Sequence, residues 1–151
     1  MVAHRIFADW SAEHWSRAVL VDADFAPDDE AEQWVEDLLT GALAAMANAG
    51  VEVARTSLRT VDGKIFVALD RHELMARDID NESADLAVYN IFGRLDAIAA
   101  CRGRRERWHL WYTGDPAGAA FFVGTEELTT AEGIDVRELN TGETWFRVSS
   151  H

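Results

Sequence analysis

Residues 51–70 read VEVARTSLRTVDGKIFVALD. Two runs rich in Val, Leu, Ile and Thr flank the dipeptide Asp62-Gly63. Asp-Gly between two such runs is the pattern of a two-residue hairpin turn, because both of its central residues must adopt positive φ and few other pairs do so cheaply. The reading is strand over 51–61, tight turn, strand over 64–70.

Working back from this hairpin, Gly50 closes a segment in which Ala31, Trp34, Val35, Leu38, Leu39, Ala42, Ala45, Met46 and Ala49 recur at helical spacing. That stripe predicts a helix buried on one face with glycine just past its end. Asp29 followed by Glu32 resembles a capping box, and acidic residues suit the positive end of the helix dipole. The second half, TGALAAMANAG, is built of small residues that let the helix lie close to a sheet. Before it, RAVLVDADF (17–25) reads as a strand, and RIFADW (5–10) as a short partner strand.

Working forward, RHELMARDIDNE (71–82) reads as a polar connection with a helical turn. From Ser83 the stripe Ala84, Val88, Ile91, Leu95 and Ile98 predicts a second helix ending near Arg102-Gly103, and RWHLWYT (107–113) a further strand. The order βαββαβ is the split βαβ, ferredoxin-like pattern of the α+β class. AAFFVG, IDVREL and TWFRVS add C-terminal strands. Bulky residues on both faces of RWHLWYT imply that both faces are covered, by those strands or by a second subunit in a homodimer. A length of 151 residues with no internal repeat and no linker is read as one domain, residues 1–151.

The formal charge is −13 at pH 7, which disfavours nucleic acid and anionic membrane as partners, since both are polyanions. The excess is local. Between Arg17 and Arg55 there is no Lys or Arg, while Asp22, Asp24, Asp28, Asp29, Glu30, Glu32, Glu36, Asp37 and Glu52 all fall there. No stretch resembles a signal peptide or a membrane span, which together with the lone Cys101 points to a reducing, cytoplasmic setting. Cys101, preceded by Ile-Ala-Ala, reads as a small buried side chain.

Three functional readings follow. The first takes Asp29, Glu32, Gln33 and Glu36 as one side of the first helix, opposite its apolar stripe. A rigid row of carboxylates suits a basic protein partner through long-range attraction that weakens with salt. The partner-binding residues are then Asp28, Asp29, Glu32, Glu36 and Asp37. The protein would be a non-enzymatic module, in the manner of an inhibitor or immunity-type factor, needing no cofactor.

The second reading rests on Asp22, Asp24 and Asp62. In a ferredoxin-like sheet the end of the first strand lies near the hairpin turn, so the three carboxylates would gather as an oxygen-rich site for Mg²⁺ or Mn²⁺. Over residues 17–102 this arrangement resembles the palm-type nucleotidyl cyclases and polymerases, and the resemblance implies metal-dependent nucleotidyl transfer. The chain departs from the diguanylate-cyclase pattern: Phe25 follows Asp24 directly, and the hairpin is TVDGK without a paired-glycine acidic motif. The third reading is a small-molecule pocket lined by Trp108, His109, Trp111 and Trp145. The five histidines show no zinc-binding spacing, and neither a nucleophile elbow nor a glycine-rich phosphate loop is present.

Overall fold

A computed structural model of the chain describes residues 13–22, 28–112, 117–124 and 144–147. In chain order the elements are β1 (Ala18–Asp22), α1 (Ala31–Asn48), β2 (Arg55–Val61), β3 (Lys64–Leu69), β4 (His72–Asp78), α2 (Ala84–Cys101), β5 (Arg107–Tyr112), β6 (Ala117–Val123) and β7 (Thr144–Arg147). Single 3₁₀ turns at Trp15–Arg17 and Asp28–Glu30 precede β1 and α1. The protein is thus of mixed α+β type.

The hairpin forms as its sequence requires. Asp62 and Gly63 have φ of 52° and 74°, and β2 pairs antiparallel with β3 from Val61↔Lys64 outward. A second tight turn follows at Asp70-Arg71, with φ of 50° and 79° and no glycine. Asp70 is held there by its neighbours. Its backbone N–H donates to the Ala54 carbonyl at 2.8 Å, its Oδ1 accepts from the Ala54 N–H at 2.8 Å, and its Oδ2 accepts from Arg102. The segment read as a polar connection is therefore largely strand β4, paired with β3.

The strand pairing departs from the ferredoxin-like order. β2-β3-β4 form one antiparallel sheet, and β1-β6-β5-β7 form another. β1 pairs with β6, from Ala18↔Phe121 to Asp22↔Ala117, and not with the strand after the hairpin. The cause lies in β6 itself. Ala119, Ala120, Phe121, Phe122 and Val123 are all buried, so this strand needs a neighbour on each edge and cover on each face. β1 and β5 supply the edges.

Both helices and both sheets contribute to one apolar cluster. α1 brings Val35, Leu39, Ala42 and Met46, and α2 brings Val88, Ile91, Phe92 and Leu95. The hairpin sheet brings Ile65, Val67, Leu69 and Ala76, and the other sheet Val21, Trp108, Leu110 and Phe122. Trp108 packs between Phe92 at 4.7 Å and Phe122 at 5.3 Å between ring centroids. Each such side chain removed from water contributes about 2 kcal/mol. His109, on the opposite face of β5, is also buried, and Trp15 packs edge-on against Phe121 on that side. Between Trp108 and Leu110, β5 is thus buried on both faces.

Both helices end in a Schellman motif. Gly50 (φ 91°) follows Ala49, with Val51 N–H bonded to the Met46 carbonyl at 2.8 Å and Gly50 N–H to Ala47 at 2.9 Å. Gly103 (φ 72°) repeats this after α2, with Arg104 N–H bonded to Ala99 and Gly103 N–H to Ala100. The thin half of α1 does lie close to a strand: a Cβ on Gly41 would fall 2.6 Å from Cγ2 of Val19 in β1. Two local expectations are corrected. Asp29 sits in the 3₁₀ turn, and Glu30 is the N-cap of α1 without a side-chain cap, so no capping box closes there. Cys101 is exposed, because α2 turns it outward in its last residue.

Candidate acidic interface on the first helix

Buried Ala31, Val35, Leu38, Leu39 and Ala42 fix the rotation of α1 about its axis. Glu32, Gln33 and Asp37 consequently face solvent, and Glu36 is half-buried. This side of α1 runs along β2 in the opposite chain direction. Glu36 Oε2 lies 2.5 Å from the Arg55 guanidinium at one end of the strand, and Glu32 Oε2 accepts from the Thr60 hydroxyl at 2.5 Å near the other. Gln33 donates to Asp37 Oδ1 at 2.8 Å, one helical turn along.

Asp28 has a different role. In the 3₁₀ turn before α1, its Oδ1 accepts from Arg77 of β4 at 3.1 Å. Arg77 is buried, its side chain 4% exposed against 74% for Asp28, and its guanidinium also lies 5.8 Å from the centre of the Trp34 ring. A desolvated guanidinium is tolerated only with such partners. Asp28 is thus part of how the start of α1 is fastened to β4.

Between α1 and β2 lies a shallow cleft of about 240 Å³, lined by Glu32, Gln33, Glu36 and Leu58. Two carboxylates and an amide surround one apolar wall. That combination suits a side chain with an apolar stem and a cationic end, since the stem covers Leu58 and the head meets the acids.

Of the residues expected to meet a partner, Glu32 and Glu36 come together at this cleft, with Asp37 beside them on the same helix. Asp28 and Asp29 belong to the turn that precedes it. The contribution of β2 was missed. Arg55, Leu58 and Thr60 show only strand periodicity in sequence, and nothing local to them announces a neighbouring helix.

The other candidates are placed as follows. Asp22 ends β1, Asp24 lies outside the described residues, and Asp62 is exposed at the β2–β3 turn, whose Gly63 lies against Asp80. The pairing that was to bring Asp62 alongside the end of β1 is replaced by β1 with β6, which puts the two in different sheets. Among the described residues no group of three His, Cys, Asp or Glu side chains is arranged to hold a metal ion. Trp108 is fully buried in the core, and His109 points to the other face of β5. Trp111 and Trp145 are register partners between β5 and β7.

Two arginines at the end of α2, Arg102 and Arg104, hold the two helices together. Arg104 donates to the Ala49 carbonyl at 2.6 Å and Arg102 to the Glu52 carbonyl, so the end of α2 is tied to the end of α1. Among the described residues, no helix is long and apolar enough to cross a membrane. No protein-family model, curated protein or solved structure matches the chain.

Proposed function

We propose that this protein is a non-enzymatic binding module that engages a basic protein through the acidic side of α1, in the manner of an inhibitor or immunity-type factor. The observation that carries this reading is the cleft where Glu32, Gln33 and Glu36 meet Leu58. Glu32 is held in place by the Thr60 hydroxyl through one oxygen, so little of its side-chain entropy remains to be lost on binding. The formal charge of −13 supplies the long-range field that would speed encounter with a cationic surface.

The test is capture from a lysate of the source cells on the immobilised chain, followed by elution in steps of rising salt. A basic protein retained by the wild type at about 50 mM salt and released by about 300 mM supports the reading, because screening shortens the reach of exposed charges over that range. The same protein should be absent when Asp29→Asn, Glu32→Gln and Glu36→Gln are combined. Equal retention by that folded variant would refute it.

A further inference from the structure

Among the described residues, β2 is the outer strand of its sheet, bordered by β3 on one side only. Six of its seven residues are exposed, and Leu58 is half-buried. Natural edge strands are guarded against further pairing by charged side chains that project past the edge, by proline or by bulges. A bulge does interrupt β2 between Arg55 and Ser57, but from Ser57 to Val61 the ladder with β3 is regular and contains no proline. The two arginines of the strand are turned back onto the protein. Arg55 reaches Glu36 on the α1 side. Arg59 lies across the outer face, 4.7 Å over the Phe66 ring and 2.8 Å from Glu73 of β4. Neither guards the edge.

We infer that β2 accepts an added strand, and that its occupant is an extended basic segment of the partner protein. This rests on the functional reading above and specifies how the partner is held. An added strand receives main-chain hydrogen bonds from the Ser57–Val61 edge, while every second side chain falls on the face where α1 runs. There it meets Glu32, Glu36 and the Leu58 wall of the cleft. Charge complementarity therefore selects Arg or Lys at alternate positions. A second copy of this chain is the poorer occupant, because two-fold pairing through β2 would bring two acidic α1 helices toward one another.

The experiment uses the full chain and three end-blocked peptides of about seven residues, a usual strand length. The parent alternates arginine and valine. Each of the other two carries N-methyl groups on one of the two alternating sets of amides, so that one set or the other cannot donate. Binding is followed by calorimetry and by amide chemical shifts of residues 57–61. The expected result is that the parent binds and shifts the β2 amides, one methylated peptide binds like the parent, and the other loses about tenfold or more from two or three missing hydrogen bonds.

If all three bind equally and Glu32→Gln/Glu36→Gln weakens them all, the acidic face binds cations but no strand is added, and the inference falls alone. If the parent does not bind at millimolar concentration, the inference falls, and the functional reading is judged by capture from lysate. A wild type that sediments as a dimer, with its β2 amides protected from exchange, would also overturn it, since the edge would already hold a second copy.

Discussion

Glu36 of α1 and Arg55 of β2 lie 2.5 Å apart across the cleft, so the most acidic helix carries its own cation. A partner's basic side chain arriving at Glu36 has to compete with Arg55. Removing Arg55 should therefore raise affinity for a cationic ligand, although the domain loses an ion pair. Because both side chains are about one-third exposed, Arg55→Gln is expected to cost no more than about 1 kcal/mol of stability. It should tighten the alternating arginine-valine peptide by about threefold, of the order expected for one screened pair. Weaker binding by this variant would mean that Arg55 belongs to the binding surface.

Arg77 offers a test of how the start of α1 is anchored. Its buried guanidinium meets exposed Asp28 and the face of Trp34. Arg77→Ala should destabilise by about 3 kcal/mol, since it removes a buried side chain and leaves a cavity beside Trp34. Arg77→Met keeps the volume and should cost less than half as much. Asp28→Asn, on the solvent side, should cost at most about 1 kcal/mol. Urea unfolding midpoints of the three variants settle the ranking.

Gly41 is required by the approach of α1 to β1. Alanine normally gains about 1 kcal/mol over glycine inside a helix. Here its Cβ would fall 2.6 Å from Cγ2 of Val19, a stiff branched side chain on a strand. Gly41→Ala should therefore destabilise by about 1–2 kcal/mol despite the propensity gain. Combining it with Val19→Ala should recover part of the loss. Additive losses in the double variant would contradict the close packing.

Acid sensitivity should come from Glu106 and Asp78. Burial raises the Glu106 pKa, but hydrogen bonds from Arg104 at 3.1 and 2.7 Å outweigh it and hold the carboxyl below its ordinary value. Asp78 is lowered chiefly by the Asn81 side chain at 3.0 Å, with Lys64 adding to the effect. A depressed folded-state pKa means that the unfolded chain binds more protons as pH falls below about 4.5, so stability present above that pH is lost on acidification through the folded value. Glu106→Gln should flatten the fall in urea midpoint between about pH 5 and about pH 3. An unchanged slope would place the acid sensitivity elsewhere.

What could be read in the sequence was what is local. The Asp62-Gly63 turn, the α1 stripe and the glycines ending both helices each declare themselves within a few residues, because turn geometry and helical period are short-range constraints. β4 stayed hidden for two reasons. Glu73-Leu74-Met75-Ala76-Arg77 is composed of good helix formers, and its turn uses Asp70-Arg71 in place of glycine. Asp70 takes up positive φ because Ala54 and Arg102 hold its carboxylate, partners more than fifteen residues away. Strand order was least legible. Nothing within β1 says that its neighbour is β6, about a hundred residues on, although the unbroken apolar run of β6 does mark a strand with both faces covered. Of the candidate interface, the acidic side of α1 was visible as a gap in basic residues, whereas β2 as its second wall depends on that same long-range packing.

The measurement that bears most directly on the acidic face of α1 compares two triple variants of equal charge. One combines Asp29→Asn, Glu32→Gln and Glu36→Gln. The other combines Glu13→Gln, Glu52→Gln and Glu73→Gln, which neutralises three exposed carboxylates that neither belong to α1 nor line the cleft. Titrated by calorimetry against the protein captured from lysate, the first should bind at least about tenfold more weakly than wild type, and the second within about twofold. Equal losses in the two variants would show that net charge alone attracts basic molecules, and would contradict a defined interface on α1.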